Sequence, residues 1–322
     1  MSERRETGRR RNVSPGGPKR SRGGPARSSP PAKTGHRKPD PSQAWAEGER
    51  IAKYLARAGI GSRRDVEAMI EAGKVSVDGQ RLTSPAVKVT GRETIRVGRQ
   101  IVRPPDAVRV WRYHKPSGLI CTNSDPEGRP TVFAALPKSL PRVVTVGRLD
   151  LTTEGLLLLT NDGELARALE LPETGLQRTY RVRAFGRTDQ TILDRLRDGI
   201  TVDGERYGAI EALLEHETGA NNWLRVTLTE GRKREVRRAL EAVGLTVNRL
   251  IRVGYGPFEL DALKPGAVEE VPPETVLAEL AEHIPHARRP DLDGKPGPSG
   301  KPKTRRGGRR PPAASRLHRR SD

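Results

Sequence analysis

The residues best suited to chemistry lie in one polar stretch between two apolar segments. Arg148 and Asp150 follow the β-prone residues 144–146 and precede the apolar run 156–159. A polar loop held by two core strands is a common place for a rigid scaffold to present a catalytic side chain. Asp150 is therefore our candidate for nucleophilic or proton-transfer chemistry. Spacing alone leaves open that Asp150 is a surface residue closing a strand–turn–strand.

Other kinds of site find little support in the sequence. The six histidines show no recognised metal-ligand spacing, and there is no phosphate-cradling glycine motif or nucleophile-elbow serine. The single Cys121 excludes an internal disulfide and a cysteine-cluster metal site. The residues therefore predict no metal site. A glycosidase would need a second carboxylate opposite Asp150. Glu154 is the candidate for that role, and nothing else in the sequence supports it.

The positive charge of the chain is concentrated in two arms. The formal net charge is +20, and residues 1–44 and 286–322 each contain 12 Lys/Arg and 3 Asp/Glu. Both arms are rich in Pro, Gly, Ser and Arg, a composition that predicts disordered basic tails over 1–48 and 285–322. Such tails usually bind polyanions with a salt-sensitive affinity. The alternative is a solubilising tail with no dedicated partner.

The apolar segments of the chain are all short. None approaches the roughly 20 residues that span a bilayer, and the start of the chain lacks the apolar core of a secretory signal. We therefore expect a reduced cytoplasmic protein with no membrane contact, and we expect a monomer.

Residues 49–96 predict a small N-terminal unit. Ile51 and Leu55 lie at helical spacing, Ser62 with Asp65 forms a capping box for a second helix, and residues 74–82 alternate around an Asp-Gly turn. The unit is thus two short helices and a hairpin. Basic residues off the apolar stripe predict a positive face that binds nucleic acid. They are Arg50, Lys53, Arg57, Arg63, Arg64 and Lys74, with Arg81 beside them.

A proline-containing linker at 97–107 separates this unit from a larger domain at 108–284. In the larger domain, residues 178–184 alternate as a strand with Tyr180 on the inner face, and residues 232–243 predict a helix with a strongly basic first half. Helices interspersed among hairpin-like strands favour an α+β fold with a mixed, largely antiparallel sheet.

Several long motifs resemble known families. Residues 57–65 and 70–79 (RAGIGSRRD and IEAGKVSVDG) resemble the small RNA-binding domain named after ribosomal protein S-four, which implies binding to structured RNA. The string GRLD at 147–150, followed by TEGLL at 153–157, resembles the catalytic motif of the pseudouridine synthases. Strings at 113–118, 178–182, 230–238 and 249–256 follow in the order of the RsuA/RluB branch of that family.

The resemblance implies cofactor-free isomerisation of a flipped-out uridine in ribosomal RNA. Asp150 would attack the ribose C1′ or remove a sugar proton, and the sequence does not choose between these first steps. Tyr180 would stack on the target base, and Arg237, with Arg234 as the alternative, would pair with the carboxylate. Leu250 would pack near the base. Arg148 would contact the backbone or the flipped nucleotide.

Within the branch, the loop at 123–133 and the segment 230–238 look closest to the large-subunit type, RluB. The expected partner is therefore 23S ribosomal RNA, free or within an assembling subunit. Three alternatives remain: a 16S substrate, a non-catalytic RNA-binding or ribosome-assembly protein, and a glycosidase. Intact Asp150, Tyr180 and Arg237 argue against the non-catalytic protein, because a binder does not need all three.

Overall fold

The computed structural model describes residues 48–292, and the predicted disordered tails lie outside that range except for residue 48 and residues 285–292. The helices are α1 (Ile51–Arg57), α2 (Arg63–Glu71), α3 (Val132–Ala135), α4 (Gly163–Glu170), α5 (Gln190–Asp194), α6 (Glu235–Ala242) and α7 (Pro273–Leu280). Three 3-10 helices span Pro172–Thr174, Ala281–His283 and His286–Arg288. None of the helices in the described range is long and apolar enough to cross a membrane.

The strands divide between the two predicted units. The N-terminal unit contains β1 (Glu49–Arg50), β2 (Val75–Val77), β3 (Gln80–Arg81), β4 (Lys88–Val89), β5 (Ile95–Val97) and β6 (Gln100–Ile101). The larger domain contains β7 (Val110–Lys115), β8 (Val144–Thr145), β9 (Thr153–Thr160), β10 (Arg178–Phe185), β11 (Ile200–Val202), β12 (Glu205–Tyr207), β13 (Ile210–Thr218), β14 (Asn221–Leu228), β15 (Thr246–Tyr255), β16 (Phe258–Glu259) and β17 (Val268–Glu270).

The N-terminal unit has the two helices and the hairpin that the sequence predicts. The hydroxyl of Ser62 accepts a hydrogen bond from the Asp65 backbone N–H at 3.1 Å, and the Asp65 carboxylate accepts one from the Ser62 N–H at 2.7 Å. This capping box begins α2. The sheet has four strands in the order β3-β2-β5-β6. Because β6 pairs with β5, the unit extends past residue 97, where the linker was predicted to begin.

The larger domain is built on a nine-stranded mixed sheet. Its order is β13-β14-β10-β15-β9-β7-β17, with β8 beside β9 and β16 beside β15. Among the described strands of this sheet, β15 and β9 form a parallel pair and the other pairs are antiparallel. The predicted α+β class with a largely antiparallel sheet is confirmed.

The centre of strand β9, residues 156–159, is apolar because both faces of the sheet are covered there. Leu157 and Leu159 pack in a core cluster with Tyr180, whereas Leu156 and Leu158 pack on the opposite face against α4 and α7. A strand buried on both faces needs apolar residues at every position rather than at alternate ones. The unbroken leucine run therefore holds the segment that follows Asp150 rigidly in the middle of the sheet.

Three boundaries differ from those predicted. Helix α6 starts at Glu235 rather than at 232, because Arg234 adopts a left-handed conformation with φ of 57°. The apolar spacing of Ile192, Leu193, Leu196 and Ile200 predicts one amphipathic helix, but α5 ends at Asp194 and Ile200 begins strand β11. The larger domain continues past residue 284, since the Arg288 carbonyl accepts a hydrogen bond from the Val108 N–H at 2.9 Å.

An ion-pair network joins the N-terminal unit to the larger domain. Arg57 pairs with Glu49 and lies 3.8 Å from Asp162, Lys53 pairs with Glu164, and Arg288 pairs with Glu164. Lys53 and Arg57, which the sequence placed on the RNA-binding face, thus lie at the contact between domains. The reason is that acidic residues at the start of α4 cover this side of α1. Arg50, Arg63, Arg64 and Lys74 remain exposed.

Candidate active site

A cleft of about 590 Å³ opens beside the loop that carries Asp150. This cleft is lined by five of the residues that the sequence predicted to form a site, although they come from separate parts of the chain. They are Arg148, Asp150, Tyr180, Arg234 and Leu250. The sixth, Arg237, is buried behind the Asp150 loop.

The Asp150 loop is anchored on both sides. Gly147 has φ of 65° and donates its N–H to the Glu170 carboxylate at 2.8 Å, which fixes the start of the loop. At the other end, a Cβ on Gly155 would lie 2.2 Å from the carbonyl oxygen of Arg252, so the backbones of β9 and β15 approach too closely for any larger residue. In the part of the chain that the structure describes, the Asp150 carboxylate has no hydrogen-bond or ion-pair partner. It is free to meet a substrate.

Lys115 lies beneath the same loop and was missed by the sequence reasoning. Its side chain is fully buried, and Nζ donates to the carbonyls of Thr153 at 2.8 Å, Pro116 at 3.0 Å and Leu151 at 3.4 Å. Burial lowers the pKa of Lys115, while the negative charges of Asp150 and Glu154 oppose that shift. The ammonium therefore fixes the main chain on both sides of Thr152 by hydrogen bonds to the carbonyls of Leu151 and Thr153. The available signal was the alternation of β7, which turns Tyr113 and Lys115 inward.

Arg237 holds the loop from another direction. Its guanidinium donates to the Thr152 hydroxyl at 3.1 Å and to the Val247 carbonyl at 3.0 Å. Among the described residues it forms no ion pair with Asp150, so the predicted direct contact is absent. Burial and the neighbouring Arg234 lower the pKa of Arg237, whereas the Asp150 charge raises it. Arg237 thus contacts the Asp150 loop through Thr152 rather than through the carboxylate.

Tyr180 and Leu250 form an apolar wall of the cleft. Tyr180 lies on β10 opposite Arg252 of β15, and the next inward pair on these strands is Val182 with Leu250. Both Tyr180 and Leu250 are largely buried, with 9 % and 5 % of their surface exposed. An aromatic ring beside an aliphatic side chain suits the two faces of a planar, partly apolar ligand.

The remaining walls are strongly basic. The loop between β14 and α6 brings Arg232, Lys233 and Arg234 to the cleft. Deeper in, Arg178 and Arg252 each place a guanidinium 4.9 Å from the centre of the Tyr255 ring, and Arg178 donates to the Tyr255 hydroxyl at 3.1 Å. Arg178 and Arg252 were also missed, because basic residues on a strand carry no signal that they are buried. The cleft as a whole favours an anionic ligand.

Glu154 is turned away from this cleft. Consecutive strand residues face opposite sides of a sheet, and Thr153 lines the cleft while Glu154 binds Arg249 through both oxygens at 2.9 Å. Arg249 lowers the pKa of the Glu154 carboxyl. Glu154 is therefore not placed to act as the second carboxylate that a glycosidase needs. No group of three or more metal-binding side chains occurs within residues 48–292.

Comparison with known families agrees with this geometry. Residues 109–242 match the family described as RNA pseudouridylate synthase, and residues 49–95 match the S4 domain. A crystal structure of a pseudouridylate synthase is 25% identical, covers 72% of this chain and all of its own, and superposes with a TM-score of 0.50.

Curated relatives agree as well. An RNA pseudouridine synthase of Rickettsia felis is 46% identical over 223 residues, which are 69% of this chain and 96% of the relative. The ribosomal large subunit pseudouridine synthase B of Haemophilus influenzae is 46% identical over 242 residues, 73% of this chain and 68% of the relative. The protein of that name from Salmonella typhi is 48% identical over 218 residues, 66% and 75% of the two chains. With an S4 domain preceding a domain of this fold, the chain belongs to the RNA pseudouridine synthases, enzymes that isomerise uridine in RNA.

Proposed function

We propose that the enzyme converts a specific uridine of 23S ribosomal RNA to pseudouridine, with Asp150 as the catalytic carboxylate. The observation that carries this proposal is the unpartnered Asp150 carboxylate in a basic cleft beside Tyr180. The large-subunit rRNA target is supported by the relatives from Haemophilus influenzae and Salmonella typhi, which are named ribosomal large subunit pseudouridine synthase B.

The reaction breaks one bond to the ribose and makes another. Asp150 attacks C1′ or removes a sugar proton, and in either case the bond between uracil N1 and C1′ breaks. The uracil rotates and forms a bond from C5 to C1′, while Asp150 leaves C1′ or returns the sugar proton. C5 then loses its proton and N1 gains one. The product is an isomer of the substrate, so the overall balance requires no oxidant, reductant or added group.

Tyr180 and Leu250 hold the uracil while it is detached. The base must leave its stack to reach Asp150, which costs a few kcal/mol. Stacking on an aromatic ring recovers about 1–3 kcal/mol per base. A planar wall also allows the ring to rotate in its own plane while water stays excluded. We assign Tyr180 this stacking role, and we propose that its phenol also takes part in proton transfer.

The basic walls bind the phosphates that flank the target. Arg148 and Arg234 line the cleft, and Arg237 keeps the Asp150 loop in place. The exposed residues Arg50, Arg63, Arg64 and Lys74 of the S4 domain contact the RNA backbone at a distance from the cleft. Lys53 and Arg57 contribute to RNA binding only if the ion pairs between the domains open.

The experiment that tests the target is a map of pseudouridines in ribosomal RNA from cells that lack the protein. We expect one site in 23S RNA to disappear in the deletion strain and to return with the wild-type gene, while 16S RNA is unchanged. Loss of a 16S site instead would overturn the large-subunit assignment. An unchanged map in both RNAs would favour a non-catalytic RNA-binding protein.

The basic arms are expected to strengthen RNA binding without taking part in turnover. Removing residues 1–47 and 293–322 keeps every described residue and eliminates most of the net charge of +20. Each lost phosphate contact should lower the slope of log affinity against log salt by about 0.7–0.9. Titrations of an rRNA fragment at several salt concentrations measure that slope, and single-turnover rates at saturation should stay within about twofold. An unchanged salt slope would show that the arms do not contact RNA.

A further inference from the structure

Glu235 is a buried acid in the wall of the cleft that the reaction leaves unused. It is the first residue of α6, and only 3 % of its surface is exposed. One carboxyl oxygen, Oε2, accepts a hydrogen bond from the Arg232 N–H at 2.9 Å, and the other, Oε1, is buried without a partner among the described residues. A buried carboxylate with a single donor is costly when ionised.

A second carboxyl group lies beside Glu235. Glu230 interacts with Glu235 through its side chain, and its Oε2 is 3.1 Å from Nε of Arg232. Other charged groups surround this pair: Arg178 of β10 lies against Gly231, Arg232 reaches Glu205, and Asp150, Lys233 and Arg234 line the same cleft. Two neighbouring carboxyl groups in a buried site favour a state in which one of them keeps its proton.

The loop that Glu235 holds is the one that carries Arg232, Lys233 and Arg234. The Arg232 N–H bond closes this loop onto the start of α6, and Arg234 adopts a left-handed backbone conformation that is unfavourable for a residue with a side chain. The loop therefore depends on side-chain contacts to keep its shape. Glu235 provides a buried one, because its carboxyl group accepts the bond from the Arg232 N–H three residues earlier.

We propose that Glu235, in its protonated form, is a positioning residue that locks the 230–234 loop so that its basic side chains face the substrate. When the proton is lost, the buried charge favours an open loop in which Glu235 reaches water. Substrate affinity then falls because only the closed loop presents Arg232 and Arg234 together. The effect on affinity rests on the proposed RNA function, whereas the effect on the loop does not.

The pH window follows from the Glu235 environment. Burial, reinforced by Glu230, raises the pKa of Glu235 to about 7. The Glu235 proton stabilises the closed loop fully below the ordinary glutamic acid pKa of about 4.5. This stabilisation weakens above that pH and is lost as the pH rises through about 7. The protonated fraction falls from about 0.9 at pH 6 to about 0.1 at pH 8, so the apparent dissociation constant should rise about tenfold.

The test compares wild type with Glu235→Gln, which keeps the size and hydrogen bonds of a protonated carboxyl. Hydrogen exchange of the peptide covering 229–236, measured on the RNA-free protein and corrected for intrinsic rates, should increase between pH 6 and pH 8 in wild type. In Glu235→Gln the corrected rate should stay low at both pH values. Binding of an rRNA fragment should lose about tenfold in affinity over the same range in wild type, and less than twofold in the variant.

Two further variants complete the experiment. Glu241→Gln, on the exposed side of α6, should keep the wild-type pH dependence. Glu230→Gln removes the neighbouring negative charge and should move the midpoint of loop opening to lower pH. A wild-type loop that exchanges equally at pH 6 and pH 8, or a Glu235→Gln loop that opens like wild type, would overturn the proposal. Because these loop rates need no RNA, they remain decisive even if the RNA target proves to be different.

Discussion

Asp150→Asn is expected to lower the rate of pseudouridine formation by about 10⁴-fold or more while RNA affinity stays within about twofold. The amide has the shape of the carboxylate but can act neither as a nucleophile toward C1′ nor as a base. Since Asp150 has no hydrogen-bond or ion-pair partner among the described residues, its replacement breaks no contact that supports the fold. The loss should therefore appear in turnover alone.

Release of tritium from RNA labelled at uridine C5 measures this rate, because C5 loses its hydrogen when it binds C1′. Glu154→Gln is the matched control: it also exchanges a carboxylate for an amide near the loop, but Glu154 faces away from the cleft toward Arg249. Its rate should stay within about threefold of wild type, since partly exposed ion pairs contribute little. An Asp150→Asn enzyme that retained more than about one per cent of the wild-type rate would rule out Asp150 as the reacting group.

Local patterns in the sequence were sufficient for most of the fold. The alternation at 178–184 predicts the strand whose Tyr180, Val182 and Ala184 are buried, and the Ser62–Asp65 capping box is formed as expected. The start of α6 could not be predicted in the same way. Arg234 is a good helix former, and no local pattern indicates that it adopts a left-handed conformation instead.

The sequence predicts the candidate site residues that lie within one local motif. It does not predict contacts between segments that are distant in the chain. Asp150 was identified from its loop, and the resemblance added Tyr180 and Leu250, which the register of β10, β15 and β9 brings together. Lys53 and Arg57 were recognised as lying off the apolar stripe of α1. Their acidic partners, Asp162 and Glu164, are more than 100 residues away, and no local pattern indicates that they cover this side of the helix.

Lys115 is the most consequential residue that the sequence reasoning passed over, and Lys115→Met should show why. Methionine fills a similar volume but cannot donate to the carbonyls of Pro116, Leu151 and Thr153. Buried carbonyls that lose their donor cost about 1–3 kcal/mol each, and relief of the buried charge offsets part of this, so we expect the free energy of unfolding to fall by about 3 kcal/mol. A displacement of the loop by about 1 Å should lower the turnover rate about 10²-fold.

Arg112→Met tests whether this effect belongs to the loop rather than to the strand. Arg112 also lies on β7, but it pairs with Asp261 and Glu269, away from Asp150. Urea unfolding should show a loss below about 1 kcal/mol for this control, and its turnover should match wild type. Because Lys115 acts only by placing Asp150, adding Lys115→Met to Asp150→Asn should destabilise the protein without slowing the residual reaction further. A Lys115→Met enzyme with wild-type stability and turnover would mean that the carbonyls flanking Thr152 hold their positions without the ammonium, and that the leucine run of β9 alone fixes Asp150 in the cleft.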